Sequence, residues 1–454
     1  MRRLGFLTKA PVMGIGRPFL ERMQRRNTRV LVARSIIAMF SVVLGLLVGE
    51  FAVRVSVPES LWRFQDATAD WQLDSRLGWV QRPNLDITTR QEGGGIVRFR
   101  TNSDGVCPWF AQRARKPDRA RVMIFGDSTV VGRAVPEEQT LMVHMERLLG
   151  SKGVMAEVIC AGVQGYSTDQ SLICIRQLVP LYRPDVVIFC SCLNDFGGND
   201  VSVAYGQPKP RFVIEGVSGL REIPPDIRGK SITRFHSYGS LGWARDLIQY
   251  SALYRILQPH ILQFKLMFCG WEERNLAGDE SELLKGSNAE HLNWRLFSLL
   301  IAAMDQEARR NGALFFFFGH PSIEEVWIPY FKSSEVADVK LGEDADRFGT
   351  DRFGIERRYE REAKRLGVRF CPLIRHFLQN QNRGPFHLLP RDPHCNGRGY
   401  EVTAEVLIEY MVREHLIPAK TCAPTVPDLR YRVSSQGDGE ATQLWAVDGI
   451  APPS

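Results

Sequence analysis

Short, wholly apolar runs alternate with amphipathic stretches through the middle of the chain. Val122–Phe125, Ala156–Cys160, Asp185–Cys192, Ala313–Phe318 and Val368–Cys371 are apolar at nearly every position, which predicts strands buried on both faces. Between them, Glu138–Leu149, Asp169–Leu181 and His291–Arg310 place apolar residues at helical spacing, and Gly150 closes the first. Strand and helix in alternation predict a parallel sheet covered by helices on two sides, over residues 121–416. Two insertions interrupt it. Residues 197–288 open on Gly197-Gly198, run through a Pro/Gly-rich stretch and contain an amphipathic segment, Leu241–Phe268. That segment reads as a lid or substrate wall, as a satellite helix on the sheet, or as a face laid on a membrane surface. Residues 321–364 are highly charged and read as a solvated loop and helix.

The amino-terminal side has a different pattern. Residues 30–55 are mostly apolar, cleanest from Ser35 to Val48 and bracketed by Arg34 and Glu50. A bilayer needs about 20 such residues, and an arginine at the edge reaches back to the interface. A buried core helix and a cleaved signal peptide are the alternatives. The long basic lead and the lack of a small-x-small cleavage pattern favour an uncleaved transmembrane anchor. Residues 56–120 show no helical period, and turn signals at Leu77-Gly78-Trp79, Arg82-Pro83-Asn84 and Asn102–Gly105 predict a β-containing juxtamembrane collar. Residues 417–454 form a polar, aperiodic tail expected to be poorly ordered.

Charge sharpens this picture. The net charge of +7 sits in the amino-terminal tail, where residues 1–34 hold nine Lys/Arg against Glu21 alone. The remaining body, 49 basic against 50 acidic residues, has no excess for nucleic acid to read. The positive-inside rule places the basic tail (1–29) in the cytoplasm and everything after Val55 outside it, periplasmic or extracellular. The nine cysteines (107, 160, 174, 190, 192, 269, 371, 395, 422) show no zinc-like pairing. Most read as small hydrophobes; an extracytoplasmic body permits a disulfide whose partners the sequence does not name.

The candidate chemistry stands at strand ends. The run Val122–Phe125 breaks into Gly126-Asp127-Ser128, which puts a serine at the carboxyl end of a strand, where open α/β sheets place their sites. Alone the tripeptide is a common turn sequence. Gly162 and Gly165, Asn194-Asp195, and Asp392-Pro393-His394 then follow later strands in order. Together they supply a nucleophile, oxyanion donors, an imidazole and a carboxylate, the needs of nucleophilic acyl transfer.

These blocks resemble the SGNH/GDSL hydrolase family in its membrane-anchored form. The blocks are Ile124–Ser128, the Ala161–Thr168 stretch, Cys192-Leu193-Asn194-Asp195 and Asp392–Gly399, spread over residues 120–415. The resemblance implies a three-layer α/β/α, flavodoxin-like fold and an acyl-serine intermediate without a cofactor. It assigns Ser128 as nucleophile, His394 as base and Asp392 as the carboxylate that orients it. The oxyanion donors it implies are the N–H of Ser128, the N–H of Gly165 and the Asn194 amide, with Gly162 a rival for the glycine's place. The Asp-x-His spacing is expected to need a backbone turn, to which Pro393 is suited. One departure stands out: Cys192 replaces the usual glycine of the third block, and its Cβ threatens the turn that aims Asn194.

Other residues have structural readings. Asp127 and Asp195 are expected to hold turns, His144 to belong to a helix, and His320 either to line the pocket or to sit in a turn. His387 has no partner visible in the sequence. Gly229-Lys230-Ser231 is no P-loop, since Pro224 occupies the required glycine position, and Val130 excludes the Gly-x-Ser-x-Gly elbow. No HExxH or EF-hand pattern appears, so no metal is expected. The expected activity is a serine esterase acting on short-chain acyl esters. The alternatives are an O-acyltransferase on envelope or exopolysaccharide glycans, and a catalytically silent glycan-binding or assembly protein.

Overall fold

The computed structural model describes residues 17–57, 70–90, 96–199, 201–230, 232, 251–254, 256–257, 293–326, 353–388 and 392–417. The side chains of 17–29, 89, 90, 96, 323, 324, 392 and 393 lie outside that description, as do most of Leu241–Phe268, most of the charged 321–364 stretch and the tail after 417.

A five-stranded parallel sheet forms the centre. Its strands are β5 (Ala120–Phe125), β6 (Ala156–Cys160), β7 (Val186–Ser191), β12 (Leu314–Gly319) and β13 (Arg369–Phe370), in the spatial order β13-β12-β7-β5-β6. Counted along the chain as one to five, the order is 2-1-3-4-5, the flavodoxin-like arrangement. Every strand pair in the sheet is parallel. Each predicted strand and helix of the core is present, with ends shifted by up to three residues.

The sheet divides two cores by simple alternation. Met123, Phe125, Val187, Phe189, Phe315 and Phe317 face one core; Val122, Ile124, Val186, Ile188, Phe316 and Phe318 face the other. Helices α4 (Thr168–Tyr182) and Trp294–Arg310 cover the first face and pack on each other. Helices α3 (Leu141–Ser151) and Gly397–Arg413 pair over the second. The architecture is three-layer α/β/α.

At the amino terminus, helix α1 (Arg17–Ser56) contains Val30–Ser56, 27 residues whose most apolar 18-residue window has a mean hydropathy of 2.4 and no buried residue. At 1.5 Å per residue that stretch is about 40 Å long, enough to cross a hydrocarbon core of about 30 Å. Its far end meets the first insertion: Glu50 accepts hydrogen bonds from Ser251 Oγ (2.7 Å), Ala252 N (2.9 Å) and Leu253 N (3.0 Å).

The segment between anchor and sheet forms two hairpins, β1–β2 (Trp71–Asp74, Gly78–Gln81) and β3–β4 (Asp86–Arg90, Ile96–Arg100). These hairpins are built into the domain: Trp71, Leu77 and Trp79 join the first core, and Phe99 the second. The insertion contributes two more hairpins, β8–β9 (Val203–Ala204, Gln207–Pro208) and β10–β11 (Arg211–Glu215, Gly219–Ile223).

A buried ion pair fastens this insertion to the core. Lys209 Nζ donates to Asp169 Oδ2 (2.5 Å), Gly198 O (2.9 Å) and Pro210 O (3.1 Å), with both side chains fully buried. Burial, opposed by Lys209, pushes Asp169 up to about 6. Removing one partner strands the other charge. Lys209→Met alone is therefore expected to cost about 3–5 kcal/mol, part of which the double variant with Asp169→Leu recovers. Thermal unfolding of the two variants checks the order.

Candidate active site

Three loops leave the carboxyl ends of adjacent strands β6, β5 and β7, and each carries one of the candidate blocks. The chain leaves β5 for β6 on one side and then crosses to β7 on the other, so the loops after β5 and β7 diverge at the topological switch point. After β5, the short helix α2 (Ser128–Val131) starts at the serine. Asp127 caps it, its Oδ1 accepting from Thr129 N (2.9 Å) and Thr129 Oγ1 (2.6 Å). Ser128 is half-buried between the buried residues Asp127 and Thr129. Tyr400 in the Gly397–Arg413 helix donates its hydroxyl to Thr129 O (3.0 Å), which holds α2 from behind.

After β7, Asn194 opens helix α5 (Asn194–Gly198). Its Nδ2 donates to Asp127 Oδ2 (3.1 Å), so one carboxylate caps the serine's helix and aims the asparagine. Asp195 is a turn anchor, as expected: Oδ2 accepts from Cys192 N (3.0 Å) and Ser191 Oγ (3.2 Å). Burial, with the Asp127 charge beside it, pushes Asp195 well above the usual carboxylate range. Cys192 is absent from the residues with positive φ, so the turn imposes no glycine there and its Cβ adds no backbone strain.

After β6, the two candidate glycines separate by geometry. Gly162 is buried, and a Cβ there falls 2.7 Å from Val130 Cγ2, so it is small for packing. Gly165 is half-buried with φ +76°, a left-handed backbone that presents its N–H in the loop. A Cβ on Gly165 falls 2.7 Å from the Tyr205 ring, delivered by the β8–β9 turn. Among the described residues no protein acceptor engages the N–H of Ser128 or of Gly165.

The last block lies on β15 (Asp392–Cys395), paired antiparallel with β14 (His387–Leu388). Helix α2 packs directly on β15, which brings the half-buried His394 to the serine's side of the fold. No hydrogen bond joins Ser128 to His394 in this structure; such contacts often tighten only when substrate binds. The backbone of Asp392 is in the same strand, and its side chain lies outside the described residues. Residues 392–395 belong to a strand whose ladder shifts register there: Leu388 pairs with Asp392 and His387 with Cys395, so Pro393 and His394 are the extra residues of a bulge between the two pairs.

Some supporting residues were not legible in the sequence. Trp79 Nε1 donates to Gln164 O (3.1 Å), and Tyr166 donates its hydroxyl to Trp79 O (2.7 Å), clamping the Gly165 loop to β2. Gln170 Nε2 adds a bond to Leu77 O (2.9 Å). The Leu77-Gly78-Trp79 turn signal was the only hint of this brace. His320, His387 and Cys395 gather at the end of β12.

No protein-family model and no curated protein matches the sequence. Solved structures do match over the domain. An acetyl xylan esterase, AlAXEase, is 14% identical over 64% of this chain and 98% of its own, with a TM-score of 0.32. The esterase EstA from Pseudoalteromonas sp. is 8% identical over 65% and 98%, TM-score 0.32. A GDSL-like lipase from Bacteroides thetaiotaomicron is 12% identical over 67% and 93%, TM-score 0.30. At TM-scores of 0.30–0.32 these likenesses decide nothing about this chain; what the site does rests on its own residues.

Proposed function

We propose that the protein is a membrane-anchored serine esterase that cleaves short-chain acyl esters through an acyl-serine intermediate. The observation that carries this reading is the convergence at one sheet edge: Ser128 heads a capped helix between the Gly165 and Asn194 loops, and α2 packs on the strand of His394. In the proposed reaction His394 takes the Ser128 proton as Oγ attacks the ester carbonyl, with Asp392 orienting the imidazole. The negative oxygen is held by the N–H groups of Ser128 and Gly165 and by the Asn194 amide. His394 then returns the proton to the leaving alkoxide. Water repeats the sequence in reverse and frees the acid.

The test is release of p-nitrophenol from p-nitrophenyl acetate by the full chain in detergent, together with the mass of the acyl adduct on the Ser128 peptide. Turnover with a transient adduct supports the esterase. An adduct that forms but clears only when a glycan is added makes the acceptor a sugar hydroxyl. No adduct with any acyl length defeats the reading.

The basic tail and the apolar α1 support an orientation with the domain outside the cytoplasm. Protease added to intact spheroplasts is therefore expected to digest the domain and spare only the tail and α1. A domain digested only after permeabilisation would reverse the topology.

A further inference from the structure

The β14–β15 hairpin that carries His394 also carries part of a second cluster of reactive side chains that the ester chemistry does not use. His387 and Cys395 are direct cross-strand partners in β14–β15, so their side chains share a face. His320 follows β12 at the end of the central sheet, and its ring meets that of His387 edge to face at 5.8 Å between centroids. One ligand atom from each of the three residues lies within 4.8 Å of the others.

We propose that His320, His387 and Cys395 bind a zinc ion that clips the β14–β15 hairpin to the end of β12. Two imidazoles and a thiolate are borderline-soft donors, the set that selects zinc over magnesium or calcium. Tetrahedral zinc at about 2.0–2.3 Å from each donor sets the donors about 3.3–3.6 Å apart, so the side chains close by roughly 1 Å. His387 has the outer support such ligands use: its Nε2 lies 2.9 Å from Pro321 O, a carbonyl that accepts the ring N–H. His387 and Cys395 are buried while His320 is half-buried, so the coordination sphere opens on the His320 side, where water completes it. Binding releases the Cys395 thiol proton to solvent, and nothing is oxidised. The ion thus fixes the hairpin that also carries His394, through ligands that take no part in the proposed ester chemistry.

The test measures metal, not turnover. Full-length protein in detergent is incubated with zinc, dialysed and analysed for metal, then reloaded with cobalt(II) for its spectrum. One zinc per chain and a thiolate-to-cobalt charge-transfer band are expected. Cys395→Ser is expected to lose that band. His320→Ala, at the exposed side of the cluster and so the milder change, is expected to weaken zinc at least about tenfold, the low end of what losing an outer-shell partner costs a metal site. Circular dichroism confirms the folding of each variant; if Cys395→Ser does not fold, the wild-type cobalt spectrum and His320→Ala decide. Substoichiometric zinc in the wild type, cobalt without a thiolate band, or unchanged affinity in a folded His320→Ala protein overturns the assignment.

Discussion

Ser128→Ala is expected to lower ester hydrolysis by roughly 10⁵-fold, about 7 kcal/mol of barrier, with an unchanged melting temperature. The expectation combines chemistry with local structure. Oγ forms the bond to the acyl carbon, so no neighbouring group replaces it. The side chain is half-buried and makes no hydrogen bond among the described residues, so little stability is lost with it. The cap of α2 belongs to Asp127, and the Tyr400 hydroxyl grips Thr129, so the alanine variant keeps the turn and helix. Residual rate above the uncatalysed reaction would come from the oxyanion donors, which the substitution leaves in place. Initial rates on p-nitrophenyl acetate, with unfolding followed by circular dichroism, check both halves. Wild-type rates in Ser128→Ala would remove the serine from the mechanism.

What the chain makes legible and what it hides follow the range of the interactions. Val122–Phe125 and Val186–Ser191 are buried on both faces, so their composition alone marks them as central strands. Ser128, Gly165 and Asn194 were visible because parallel strands point their carboxyl ends the same way, and residues just past those ends must gather at one edge. The supports were hidden because each joins segments far apart in sequence. Nothing local in Trp79 says that its indole reaches Gln164, 85 positions on, and nothing in Tyr205 says that its ring covers Gly165. The backbone at Asp392–His394 was hidden in form: Pro393 lies in a short strand, β15, paired among the described residues with β14 alone, at a register shift that the Asp-x-His spacing does not announce. His387 and Cys395 show the same limit. Their pairing depends on a short hairpin with an irregular register, which residue spacing does not encode.

The second large effect falls on Asn194 and on the carboxylate that aims it. Asn194→Ala removes an amide donor from the forming oxyanion and is expected to cost about 10²–10³ in kcat, roughly 3–4 kcal/mol, with little change in KM. Asp127 touches no substrate in this mechanism; it acts as a positioning residue through two oxygens. Its Oδ1 caps α2, and its Oδ2 accepts from Asn194 Nδ2 at 3.1 Å. Asp127→Asn separates the two duties. The amide oxygen still accepts from Thr129 N, so the cap holds and stability stays within about 1 kcal/mol. Its NH₂ now faces the NH₂ of Asn194, donor against donor, and the asparagine turns away. The expected result is a loss in kcat approaching that of Asn194→Ala, and a double variant scarcely worse than either single one. Such non-additivity is what a shared path requires, since both changes disable the same donor. Losses that multiply in the double variant would show that Asp127 serves the reaction by another route.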